Sequence, residues 1–217
     1  MKLAPVAAAA FLVVTSGSAF SQGATWTFDD LPAGRPPPGF VFASAPDEQA
    51  QRWLVLRDDS NAFLGHVQPG PPGTQLAIAG TTSFADLMLS ARVRFAEGAR
   101  SAGLVWRYRN PDNYYLMALD LRAQDVRVYR VVGGNRTRLE DENDLELDPG
   151  IWHTLKVEDR GMRIRVWING VPVAGGRDRT NREPGAIGVW TRGDSVAWFD
   201  DLRVEPINEP ERSNRRN

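Results

Sequence analysis

Apolar side chains recur at every second position along most of this chain and almost nowhere at helical spacing. A β-strand sends successive side chains to opposite faces, so alternation of this kind specifies strands with one buried face. In Leu87–Phe95 it places Leu87, Leu89, Ala91, Val93 and Phe95 on one side. The same signal predicts strands over 103–109, 114–121, 126–132, 152–158, 163–168, 186–192 and 196–204. Turn chemistry separates several of them: Asn110-Pro111-Asp112-Asn113, Gly133-Gly134-Asn135, and Asn169-Gly170, a strong two-residue hairpin signal. Pro36–Gly39 and Pro69–Gly73 cannot join a sheet ladder and read as loops, and Asp47–Arg52 is expected to form a short helical turn. Short strands at regular spacing predict an all-β antiparallel sandwich or barrel, not βαβ units.

The N-terminus reads differently. Lys2 precedes an apolar run from Ala4 to Val14, and small residues follow from Ser16 to Ala19. The run is too short for a stable membrane span, so residues 1–21 are expected to be a cleaved secretory signal that sends the chain to the periplasm or medium. Removing it takes away Lys2 and leaves 25 basic and 27 acidic side chains, a net charge of −2. The expected organisation is a signal at 1–21, one domain over 22–206 and a polar tail over 207–217, with no stable membrane span after cleavage.

Composition narrows the chemistry. There is no cysteine, hence no disulfide, thiolate metal site or cysteine nucleophile. The two histidines, His66 and His153, exclude a three-His zinc site. His153 shares strand parity with Leu155 and Val157 and is expected to point inward as a structural residue. A net charge of −1 speaks against a nucleic-acid partner. The basic set is nonetheless lopsided, with 24 arginines against Lys2 and Lys156.

Several stretches carry a family resemblance. Gly103-Leu-Val-Trp-Arg-Tyr-Arg-Asn-Pro-Asp-Asn-Tyr-Tyr115, Gly150-Ile-Trp-His-Thr-Leu-Lys-Val157, Arg163-Ile-Arg-Val-Trp-Ile-Asn-Gly170, Gly185-Ala-Ile-Gly-Val-Trp190 and Phe199-Asp-Asp-Leu-Arg-Val204 resemble concanavalin A-like jelly rolls. Within that superfamily they look like laminin G-like and 3-keto-disaccharide hydrolase-type domains, over about residues 24–205. The resemblance implies a two-sheet antiparallel jelly-roll sandwich with a concave face used for sugars. It does not imply one activity, because this fold hosts lectins, glycosidases and adhesion modules.

Three groups of residues are candidates for a site. Glu142, Asp144 and Glu146 spell the Glu-x-Asp-x-Glu of a glycosidase strand, and alternation would put all three carboxylates on one face. Asn143 stands where that pattern wants an apolar residue, and the dense acidic run leading into Asp148-Pro149-Gly150 reads more simply as a solvated loop. Asp29-Asp30, taken as the start of the first strand region, and Asp200-Asp201 in the last strand are expected to come together. Carboxylate pairs brought close repel unless a cation intervenes, so these four are candidate ligands for a structural Ca2+.

The third group is a sugar-binding face. Sugars stack apolar faces on aromatic rings and fix hydroxyls with planar polar groups. Strand parity offers Arg107, Arg109, Arg127, Tyr129, Arg163, Arg165, Trp167, Trp190 and Arg192 as such a face, with Trp106, Tyr108 and Tyr114 assigned to the core. Guanidinium grips carboxylate and sulfate bidentately, so an anionic glycan suits it. Asn135-Arg136-Thr137 also matches a glycosylation acceptor. These residues favour non-catalytic carbohydrate binding, with a glycan or polysaccharide as partner. The alternative is a glycoside or 3-keto-glycoside hydrolase, which needs two close carboxylates in the groove. A third reading is a laminin G-like protein-interaction module.

Overall fold

A computed structural model describes residues 22–45, 53–59 and 61–207. The signal at 1–21, the helical turn at Asp47–Arg52 and the tail from residue 208 onward lie outside the described residues. Alternation becomes strand throughout. Among the described residues there are fifteen strands and no helix: β1 (Ala24–Trp26), β2 (Phe40–Ser44), β3 (Leu54–Asp58), β4 (Asn61–Gly65), β5 (Thr74–Phe84), β6 (Leu87–Phe95), β7 (Ser101–Asn110), β8 (Asn113–Asp120), β9 (Asp125–Val132), β10 (Asn135–Glu142), β11 (Trp152–Arg160), β12 (Arg163–Ile168), β13 (Val171–Arg177), β14 (Gly185–Arg192) and β15 (Ala197–Pro206).

They form two antiparallel sheets. One runs β13-β12-β11-β6-β15-β4-β3, with β1 added alongside β15; the other runs β10-β9-β8-β7-β14-β5-β2. The inner faces close on one core. In β6 the five predicted inward residues are all buried, and they meet Leu104, Trp106, Tyr115 and Met117 from the opposite sheet. Asn169 and Gly170 have φ of 49° and 82°. This is the two-residue turn with both central residues left-handed that joins β12 to β13 without splaying them.

The alternation breaks in β7 with large consequences. Arg107, in the middle of β7, has φ of 47°, and the β7–β8 register shifts between Trp106 and Asn110. A bulge of this kind turns two consecutive side chains to one side. Trp106 and Arg107 therefore both reach Asp159 on β11 of the other sheet, through Nε1 at 2.9 Å and Nε at 2.6 Å. Arg107 also donates to the carbonyl of Arg182 at 2.7 Å and to Asp86 at 3.2 Å. Its side chain is 3% exposed. This corrects the sequence expectation that placed Arg107 on the sugar-binding face: its head group is fully used in tying the sheets together. Tyr108, past the bulge, and Tyr114 lie not in the central core but in a second apolar layer on the outer face of the seven-stranded sheet, with Leu76, Ile78, Val105, Leu116 and Trp190.

Breaking this tie is costly because it leaves a buried charge without a partner. Arg107→Ala is expected to lose about 3–5 kcal/mol of stability in equilibrium urea unfolding. The pair replacement Arg107→Met with Asp159→Leu should lose clearly less, since neither charge is then stranded.

Candidate functional site

The outer face of the seven-stranded sheet opens into a cleft of about 420 Å³, reaching from β10 across to β5. Its floor is Trp190 on β14, nearly buried and set directly opposite Gly103 on β7. A Cβ at position 103 would lie 1.7 Å from the carbonyl oxygen of Met117 on β8. Only glycine permits that approach, and no side chain stands beside the indole. Tyr129 on β9 supplies a second ring. The Arg136 guanidinium, on edge strand β10, lies over both rings, 5.0 Å from the Tyr129 centroid and 5.5 Å from that of Trp190. Cation–π attraction holds it there.

Charge is concentrated at one end of the cleft. Asp125, 2% exposed, pairs through Oδ2 with Arg127. Burial pushes its carboxyl above the ordinary aspartate range, against the opposing pull of Arg127. Its Oδ1 is buried and has no hydrogen-bond partner, and the same holds for Nε1 of Trp190. An unmet buried polar atom costs about 1–3 kcal/mol, and two of them belong to residues that line this one cleft. Asp120 faces Asp125 directly across the β8–β9 ladder. Both its oxygens are engaged: Oδ1 accepts from the backbone N–H of Arg122 and Ala123, and Oδ2 accepts from the Ser101 hydroxyl at 3.2 Å. Arg192 lines the cleft and pairs with Asp194 at 2.9 Å.

Four residues of the expected sugar-binding face, Arg127, Tyr129, Trp190 and Arg192, share this cleft. The others do not. Arg107 is internal, Arg109 is exposed near the tip of the β7–β8 hairpin, and Arg165 and Trp167 lie on β12 of the other sheet. Parity fixes facing but not sheet membership. Parity does not single out Asp120, Asp125, Ser101 or Arg136, which the fold brings into the cleft. Arg136 sits in an edge strand that is exposed over most of its length and so has no apolar alternation to announce it. Its one sequence signal is the glycosylation match.

Glu142 ends β10, and Asp144 and Glu146 lie in the loop beyond it, all three exposed. They are not on a central strand. Asp29 and Asp30 form part of a turn that follows β1, not the start of a strand. Asp29 accepts from the N–H of Ala62 at 3.0 Å, and the neighbouring Asn61 donates to Asp200 at 3.2 Å. The cation between Asp200 and Asp201 is Arg92, with nitrogens 2.6 and 2.7 Å from the two carboxylates. Among the described residues no group of three or more His, Asp or Glu is gathered for a metal ion. His153 is buried and bridges Asp148 and Asn169; His66 is buried against Trp53 and meets Thr191 at 3.1 Å.

The two facing antiparallel sheets make the chain a jelly-roll sandwich. Residues 43–205 match the 3-keto-alpha-glucoside-1,2-lyase-like domain, and the chain belongs to that family. Among solved structures it is similar to the carbohydrate-binding module CBM66 from Bacillus subtilis, at 16% identity and TM-score 0.62 over 77% of this chain and 95% of that one. It is also similar to a Bacillus subtilis protein with a galectin-like fold, at 13% identity and TM-score 0.58 over 76% and 88% of the two chains. A native glycosidic hydrolase matches at 15% identity and TM-score 0.57 over 87% and 98%. At these identities the likeness is one of fold. No curated protein matches the sequence.

Arg92 gives a test at the Asp200 end. Burial raises the Asp200 carboxyl above its ordinary value, offset in part by its hydrogen bonds and by Arg92. A carboxyl raised on folding stabilises most below its unfolded value of about 3.9, and that contribution is lost as pH rises through the folded value. Arg92→Gln raises it further. The melting midpoint of the variant should therefore fall increasingly below wild type between about pH 4 and 7. A drop in the wild-type midpoint on adding EDTA would instead assign calcium to this end, and an unchanged midpoint removes calcium from it.

Proposed function

We propose that this domain binds a saccharide in the cleft on the seven-stranded sheet. The observation that carries the reading is Arg136 laid over Tyr129 and Trp190, beside the half-satisfied Asp125–Arg127 pair. Rings, guanidinium forks and a buried acceptor in one cavity of about 420 Å³ are the chemistry of sugar recognition. The family description, naming a 3-keto-alpha-glucoside, and the carbohydrate-binding module among the similar structures support it. Residues 1–21 fit the same reading as an export signal that delivers the domain to external glycans; N-terminal sequencing of the secreted chain checks the cut.

A glycan array with the mature protein, followed by calorimetry on the hits, tests binding. Arg127→Gln and Arg192→Gln are each expected to weaken it about tenfold, as loss of one or two charge-assisted hydrogen bonds does. Silence across neutral and acidic glycans alike would sink the proposal.

One observation favours catalysis as a second reading. Hydrolysis of an ordinary glycoside uses two carboxylates, but Asp120 has both oxygens occupied, leaving Oδ1 of Asp125 as the one unpartnered carboxylate oxygen lining the cleft among the described residues. A 3-keto sugar needs only one base. The ketone acidifies the C2 proton; Asp125 takes it, and the electron pair moves to the C3 oxygen as an enolate beside the arginines. The enolate then expels the C1 oxygen, which leaves with its bonding pair and takes a proton from water. Asp125 must be ionised to act, and its carboxyl is raised by burial. The rate on a 3-keto-α-glucoside should thus climb with pH through an inflection above about 3.9. Asp125→Asn should abolish it with the fold intact by circular dichroism. Equal rates for wild type and variant would leave binding as the function.

A further inference from the structure

The arginines that sequence parity groups with Trp190, but that fold onto the opposite sheet, make an arrangement of their own. On β12, Ile164, Val166 and Ile168 face the core, so Arg163, Arg165 and Trp167 face out from the eight-stranded sheet. Arg163 lies directly opposite Arg160 on β11 and directly opposite Arg177 on β13. Three guanidinium side chains therefore stand in one row across three adjacent strands, a span of about 10 Å at the usual strand spacing. Like charges placed directly opposite one another destabilise a sheet. All three are exposed, and among the described residues none has a carboxylate within ion-pair distance.

Two of the nearby acids are already committed, and a third, Glu140, packs its carboxylate against Gly176 without coming within ion-pair distance of the row. Glu158 pairs with Arg165 at 3.4 Å, and Asp86 accepts from Arg107 and from the N–H of Gly161. The row also flanks two hollows that share Arg163 and Arg165. One, of about 380 Å³, lies toward Arg160 and Gly161; the other, of about 250 Å³, lies toward Gly175, Gly176 and Arg177. Two residues along β12 from Arg165, the half-buried Trp167 offers a ring, with Lys156 Nζ 4.2 Å from its centroid.

We propose that this face is a second binding site, separate from the Trp190 cleft, for a polysaccharide that carries carboxylate or sulfate groups. Charge complementarity selects the occupant. A row of unpaired forks suits anions repeated along a chain, which a single small ion does not bridge. The ring beside the row gives a pyranose face a place to pack. A net charge of −1 leaves no broad basic field for a nucleic acid, only this local track.

Affinity electrophoresis of the mature protein in gels holding heparin, alginate or neutral dextran tests the idea, with calorimetry for affinities. Wild type should be retarded by heparin or alginate, released by added salt, and unaffected by dextran. Arg163→Gln with Arg177→Gln should lower the affinity at least about tenfold with an unchanged or raised melting midpoint. Arg127→Gln in the other cleft should leave it unaltered, so failure here and failure of the saccharide cleft are separate results. Four outcomes would overturn the proposal: no retardation by either acidic polymer, equal retardation of the double variant, equal affinity for duplex DNA, or competition by inorganic sulfate alone at matched charge, which would mean an adventitious ion only.

Discussion

Asp159 accepts hydrogen bonds from Trp106 and Arg107 of the facing sheet, a buried polar link across the described core. A buried aspartate is unfavourable by itself; burial raises its carboxyl, and the Arg107 and Trp106 donors oppose that. It persists because the chain supplies both donors from consecutive residues. That requires a left-handed φ at a non-glycine residue, a conformation costing about 1–3 kcal/mol unless its surroundings determine it. Here they do. Arg107 is held by Asp159, Asp86 and the carbonyl of Arg182, so β7, β11 and the segment before β14 meet at one point. The register shift also decides how the rest of β7 faces. Past the bulge Tyr108 turns outward and joins Tyr114 and Trp190 in the outer layer, and the cleft is built on that layer.

The two outer faces thus differ for a structural reason. The seven-stranded sheet is covered on both sides, by the central core and by its own outer apolar layer, so its cleft has a packed apolar floor. The eight-stranded sheet has one buried face and one wetted face, and there the arginines are spent differently. Arg94 lies against Phe63, Trp152 and Trp198, with its guanidinium carbon 4.8 to 5.2 Å from the three rings. Arg92 neutralises Asp200 and Asp201. The row at Arg160, Arg163 and Arg177 is left without such work. A net charge near zero therefore describes the whole surface poorly. Many arginines are matched locally, and these three unmatched ones stand side by side.

Much of this architecture is legible in the sequence. The period-2 runs rich in Val, Ile, Tyr and Trp locate β6, β7, β8, β9, β11, β12, β14 and β15 to within a few residues; β6, β11 and β12 bury one face, whereas β7, β8 and β14 are apolar on both and are legible from composition and bounding turns. The Asn169-Gly170 turn is legible because only residues tolerant of left-handed φ fit it. Parity also groups Arg127, Tyr129, Trp190 and Arg192 correctly. It fails at Arg107, where one bulged residue changes the facing of the next, and at Arg165 and Trp167, which have the same parity on a different sheet. Edge strands β10 and β13 escape it because their exposed side chains carry no apolar pattern. Arg136 escapes with them, although it covers the rings of the cleft. Asp125 escapes because a buried acid is recognised only by its neighbours, and those arrive from β8 and β10.

The same logic bears on what kind of chemistry the cleft permits. In the sequence the paired carboxylates stand out in an exposed acidic run, whereas the folded chain brings Asp120 and Asp125 opposite each other in the cleft. Proximity alone does not make a catalytic pair. Asp120 closes the turn between β8 and β9 with two backbone N–H groups and holds Ser101 with its other oxygen; releasing it to move protons would dismantle the turn that positions Asp125. The division of labour follows from hydrogen-bond capacity. One acid is satisfied and structural, and its neighbour is buried, tied at one oxygen to Arg127 and unpartnered at the other. Such a site can receive one hydroxyl or one proton at a time. That suits recognition of a sugar, or the single deprotonation that a ketone makes possible, and it does not suit the two-carboxylate cleavage of an unactivated glycoside.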